Sequence, residues 1–249
     1  MKTGLHQFFR EAVPQLLAAA KSEGIHLSRY SWPHVPYVGA DYEAAPLRVL
    51  LVGRAAVGWG IDPLSSLNDF VIDQGEALER ALLLSDQFMA RVTERFAGGG
   101  GYYSPFWHRA YALLSSLLDG ADQVTSKYDR QRSERTFRSI AWTNLFKIGL
   151  RDDNPDESMT SLLKSQANWL ERELELLKPG LVLFSTGTAY DHHLTSMLPF
   201  RWGPESGKVT RLYLNGQETP VIYRTPHLQA LTRDEMDDFY PVLRRSLLE

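Results

Sequence analysis

The sequence predicts an α/β fold of three layers, α/β/α, around a central, mostly parallel four-stranded sheet. Short continuous apolar runs recur along the chain, RVLLVG at 48–53, LVLFS at 181–185 and PVIYR at 220–224. Runs of this kind suit strands buried on both faces. Helical stripes fall between them, and each stripe is bracketed by capping or stop residues. Strand and helix alternating in this way is the pattern of a layered α/β domain.

The elements follow in chain order. Leu5, Phe8, Phe9, Val13, Leu16, Leu17 and Ala20 recur at helical spacing, predicting a first helix that docks by one face. Residues 1–45 are read as this docking segment and 46–249 as the core of one domain. Ser104 before Pro105 is a cap with proline at the first helical position, and Gly120 supplies a stop. The run IAWTNLF at 140–146 is the fourth strand, although its pattern also fits a helix. Met159, Leu162, Leu163, Trp169, Leu170, Leu174 and Leu177 form a further stripe closed by Pro179 and Gly180. Asn215-Gly216 between LYL and TPVIY predicts a hairpin. Thr232 with Glu235 makes a capping box for the last helix, where Pro241 is expected to force a break. The glycine run at 98–101 reads as a mobile loop.

Composition removes whole classes of function. Among 249 residues there is no cysteine, which excludes disulfides, zinc ribbons and thiolate nucleophiles. With 27 basic against 30 acidic side chains the net charge is −3, so non-specific coating of nucleic acid is excluded while a local basic groove is not. The longest early apolar stretch, 13–20, is far too short to span a bilayer, and the charges around it do not fit a secretory signal. A cytoplasmic protein is expected.

Open parallel sheets bind ligands beyond the carboxyl ends of their strands, which directs attention to Gly53, Asn144, Gly187 with Thr188, and His227. Gly53 to Gly58 has the glycine spacing of a phosphate loop, but Trp59-Gly60 stands where Lys-Ser/Thr is required. What survives is a turn whose small side chains admit a ligand closely, or simply a tight strand-to-helix turn. His227 directly after a strand can donate to developing negative charge, or can be an ordinary loop histidine. Asn144 offers donor and acceptor together, which suits reading a base edge, or serves as a turn residue. Asp191-His192-His193 is no metal site, because adjacent histidines on a helix diverge by about 100°. The acidic residues Asp152, Asp153, Asp156 and Glu157 lack the glycine and terminal glutamate of a calcium loop.

Taken in order, VGRAA at 52–56, AWTNLFK at 141–147, LKPGLVLFSTGTA at 177–189 and HLQALT at 227–232 resemble the uracil-DNA glycosylase superfamily. The resemblance implies a DNA glycosylase that flips a base out and hydrolyses its N-glycosidic bond without metal or cofactor. It implies DNA, damaged or phage, as partner, with no membrane; the sequence names no protein partner. His227 would stabilise the departing base anion and Asn144 would hydrogen-bond the flipped base, with Gly53 and Ala55 beside it. Phe70 would stack on the base or pack in the core. Leu231 would fill the gap left by the flipped nucleotide, with Leu228 as its substitute. Arg54, Gln229 and Thr188 complete the expected DNA contacts.

The first motif departs from the family. Arg54-Ala55-Ala56 carries no carboxylate to position water, so Asp62, with Asp69 behind it, is the candidate; an unassisted water or lost catalysis are the alternatives. Ala55, Ala56 and Val57 are also small where family members place a bulky group. A base larger than uracil is therefore expected, a 5-hydroxymethylated or glucosylated pyrimidine of phage DNA, removed as antiviral defence; a uracil enzyme with Trp59 compensating is the other reading. Lys127, Arg130, Arg132, Arg135 and Arg138 offer phosphate contacts or an ordinary charged helix face. Phe106 and Trp107, with Tyr102 and Tyr103, gate the pocket or pack in the core.

Overall fold

The computed structural model describes residues 1–55, 59–60, 66–72, 74–99, 104–151, 166–217 and 219–247. Seven strands form one sheet in the order β1-β3-β2-β4-β7-β6-β5. They are β1 Tyr37–Val38, β2 Val49–Ala55, β3 Ile140–Phe146, β4 Leu181–Phe184, β5 Phe200–Ser206, β6 Val209–Leu214 and β7 Val221–Arg224. The four expected strands, β3-β2-β4-β7, are mutually parallel and central. The expected count of four is too small, because β1 adds antiparallel at one edge and β6 and β5 at the other. β1 has two residues, and β5 is largely polar and partly exposed, so neither shows as an apolar run.

Alternation along the central strands builds two cores. Leu50 and Val52, Ala141 and Leu145, Val182 and Phe184, and Ile222 face one side. Val49 and Leu51, Ile140 and Trp142, Leu181 and Leu183, and Tyr223 face the other. The first side is covered by α1 Lys2–Ser22, α6 Ala167–Leu177 and α7 Asp191–Met197. The second is covered by α4 Pro105–Leu118, α5 Arg130–Arg138 and α8 Arg233–Arg245. After the short α2 Asp69–Ile72, α3 Gln74–Ala97 gives Ala77 to Leu84 to the first core and Met89 to Phe96 to the second.

Local signals account for most element ends. The α1 stripe is buried as expected from Leu5 to Ala20 except at half-buried Phe8, and Trp169 meets Phe8 and Phe9 edge-on at 5.9 and 5.3 Å. Pro105 opens α4, and Gly120 at φ +64° follows its end. β6 and β7 pair antiparallel around Asn215 and Gly216, both with positive φ. The capping box of α8 is complete. Pro241 does not break that helix: Phe239, Tyr240 and Leu243 around it are buried, and this packing outweighs one missing backbone bond. The expectations for Gly100 and Gly101, Tyr102 and Tyr103, and the acidic stretch 152–157 fall outside the described residues.

Candidate active site

The carboxyl ends of the four parallel strands lie together, and the ends of β2 and β3, the loop after β7 and the start of α4 line a cavity of about 690 Å³. Gly53, Arg54, Ala55, Asn144, His227 and Gln229, separated by up to 176 residues of chain, all line it. The register explains the first meeting, since Gly53 on β2 stands directly beside Asn144 on β3. A Cβ on Gly53 would lie 2.5 Å from Asn144 Oδ1, so glycine here is what lets the amide occupy the cavity floor.

Asn144 is buried, and its Nδ2 has no hydrogen-bond partner among the described residues. Its backbone is better provided for. Lys147 Nζ donates to Asn144 O and also reaches Glu173 Oε2 and Thr143 Oγ1, each at 2.7 Å. Thr143 Oγ1 in turn donates to Glu173 at 3.0 Å. Burial lowers the Lys147 pKa and raises that of Glu173, while their mutual attraction opposes both shifts. A charged pair of this kind is sealed beneath the strand end that presents Asn144.

His227 is positioned by the end of β4. Leu228 N donates to Ser185 Oγ at 2.9 Å, Thr225 N to Phe184 O at 2.8 Å, and Gly187 N to Thr225 O at 3.0 Å. The imidazole lies 5.5 Å from the Phe106 ring. Burial first, and then the positive charge of Arg54, push its pKa down to about 4. At neutral pH the ring is therefore uncharged, with one N–H to donate. Arg54 itself is fixed, Nε donating to Thr186 O at 2.7 Å with the guanidinium 4.9 Å over the Tyr190 ring. Gly187 has φ +73°, and a Cβ there would approach Arg54 Nη2 to 3.1 Å.

Other expected residues lie elsewhere. Phe70 is fully buried, 4.9 Å edge-on to Trp32, and does not line the cavity. Leu231 and Leu228 are both buried in the second core, so neither protrudes to wedge a duplex. Leu231 is held further by Arg109, whose Nε donates to its carbonyl. Gln229 and Ala230 are the exposed tip of that loop instead. Thr188 is exposed on the segment after Gly187 and is not part of the cavity wall. Asp62 lies outside the described residues, as do Ala56 and Val57. Asp69 accepts from Trp32 Nε1 and Ser66 N, and no carboxylate among the described residues lines the cavity.

Of the five cations at 127–138, four have acidic partners within the chain: Arg130 with Glu134, Arg132 and Arg135 with Asp119, and Arg138 with Asp41. These pairings favour the charged-helix reading over phosphate contact. Asp191 faces Arg224 at 3.2 Å, and no group of three or more metal-binding side chains occurs among the described residues. No described helix is long and apolar enough to cross a membrane.

Trp142, to which no motif gives a role, lines the cavity two residues before Asn144. Strand periodicity was the available signal, since residues i and i+2 share a face. Phe106 and Trp107 complete an aromatic wall with it. A family model described as the Uracil DNA glycosylase superfamily matches residues 101–247, more than half of the chain. The matched region contains Asn144, Thr188, His227, Gln229 and Leu231 and starts after Gly53, Arg54, Ala55 and Phe70. No curated protein matches the sequence.

Proposed function

The chain belongs to the uracil-DNA glycosylase superfamily, and on that premise we propose that it excises a 5-substituted pyrimidine, hydroxymethylated or glucosylated cytosine of phage DNA, as an antiviral defence. The convergence of Gly53, Asn144 and His227 on one cavity supports hydrolysis of an N-glycosidic bond there. In such a reaction the bond between C1′ and the base nitrogen breaks, its electron pair leaves with the base, and water adds to the sugar cation. The neutral His227 N–H is suited to an oxygen of the base anion, and Asn144 to the edge of the flipped base. Small Ala55 in the cavity wall supports a substrate larger than uracil.

The test is base release. Uracil DNA, ordinary genomic DNA and phage DNA bearing hydroxymethylcytosine, with and without glucose, are incubated with the protein and with His227→Ala. Mass spectrometry of the freed base and alkaline cleavage at abasic sites report the outcome. Release confined to modified-cytosine DNA and lost in the variant is expected. Release from uracil DNA alone would assign the chain to repair of uracil. Binding without release from any DNA would favour a silent DNA-binding relative, the reading that the lack of a carboxylate among the described cavity residues supports.

A further inference from the structure

Two N–H groups beside the cavity have no acceptor among the described residues. Asn144 Nδ2 and Trp142 Nε1 are both buried, both belong to side chains lining the cavity, and neither has a hydrogen-bond partner among the described residues. Buried donors are nearly always paired, so an unpaired one beside a cavity points to an acceptor that arrives with a ligand. Asn144 is accounted for by base recognition, whereas Trp142 is not. Both side chains stand beside Gly53, where a Cβ would lie 2.5 Å from Asn144 Oδ1 and 3.7 Å from Trp142 Nε1.

The indole cannot easily turn to find another acceptor. It is packed edge-on against His34 at 4.4 Å and Trp107 at 4.9 Å, with Phe88 at 5.4 Å. His34 is itself fully buried, and its desolvation together with the charge of Lys147 keeps its pKa well below the usual histidine range. The group behind Trp142 is therefore a neutral ring, and neither of its nitrogens has a hydrogen-bond partner among the described residues. A cavity of about 690 Å³ lies within the range that holds ligands much larger than one bare pyrimidine.

We propose that Trp142 is a specificity-determining residue whose indole N–H donates to an oxygen on the 5-substituent of the flipped base. This rests on the glycosylase reading above and narrows it to oxygen-bearing substituents. Indole is a donor only, so a hydroxyl or ether oxygen satisfies it and a methyl group leaves it desolvated and unpaired. Asn144 then reads the base, Trp142 reads the substituent, and Phe106 and Trp107 border the same space.

The experiment compares the full chain with Trp142→Phe, which keeps an aromatic ring and loses the donor. Duplexes carry a single 2′-fluoro nucleotide, which resists hydrolysis, with 5-hydroxymethylcytosine, 5-methylcytosine or cytosine as the base. Affinities are measured at equilibrium, and release is measured separately on the 2′-deoxy versions; near-ultraviolet circular dichroism checks the fold. The unaltered protein should prefer hydroxymethyl over methyl by about 10- to 100-fold, the effect of one buried hydrogen bond made or lost. The variant should lose that preference, binding 5-hydroxymethylcytosine no better than 5-methylcytosine. An unchanged preference in the variant, an equal loss on all three bases, or no preference in the unaltered protein would each overturn the assignment. Release without a Trp142-dependent preference would leave the glycosylase reading standing and remove this one. A Trp142-dependent preference without release would retain the donor and remove hydrolysis.

Discussion

At the scale of single residues the site depends on what is missing as much as on what is present. Gly53→Ala would put a methyl group 2.5 Å from Asn144 Oδ1, displacing the amide while sparing the surrounding strands. Base release should fall at least tenfold, the cost of one misplaced hydrogen bond, with the thermal midpoint changed by a few degrees at most. Steady-state release assays and a melting curve on the same preparation check both halves. His227 makes a second prediction through its pKa of about 4. On the role proposed for His227 the neutral ring is the working form, so kcat/KM should hold constant from pH 8 down to about 5 and fall with a midpoint near 4. Arg54 contributes to the depression, so Arg54→Gln should move that limb upward. The same shift bears on stability. The unfolded histidine takes its proton near 6.5 and the folded one near 4, so this contribution is complete above 6.5 and is lost as pH falls through that window.

At the scale of elements, helix ends and strand ends aim the site. The α8 capping box ties Thr232 to Glu235 directly after the loop that carries His227 and Gln229. Thr232→Ala should destabilise the protein by about 1 kcal/mol, read from the urea midpoint at unchanged slope. β4 matters in another way, because Ser185 and Phe184 hold the backbone on both sides of His227. Ser185→Ala leaves Leu228 N without its acceptor, so kcat should fall more than affinity for DNA, as expected when a catalytic group is misplaced rather than a contact removed.

At the scale of the whole molecule the sealed pair Lys147–Glu173 joins β3 to α6 beneath the cavity floor. Lys147→Met would strand a buried carboxylate, and the loss should be about 3–5 kcal/mol. The double change Lys147→Met with Glu173→Leu should recover much of that, measured by urea unfolding of all three proteins. What was legible in the chain was everything that rests on local chemistry. Four apolar runs became the parallel strands, Ser104-Pro105 and Thr232 with Glu235 began helices, and the order of weak motifs named the superfamily. Strand order and motif position likewise brought Gly53, Asn144 and His227 to one place. Burial was not legible, because it depends on elements distant in the chain. Phe70 meets Trp32 and leaves the site, and Leu231 sinks against α4 while Gln229 and Ala230 hold the tip. The edge strands went unread because polar, short segments acquire strand geometry only from the neighbour they pair with. Trp142 followed the same physics. Its sequence neighbourhood is that of any buried strand residue, and only the close packing of His34 and Trp107 around it leaves its N–H without a partner among the described residues.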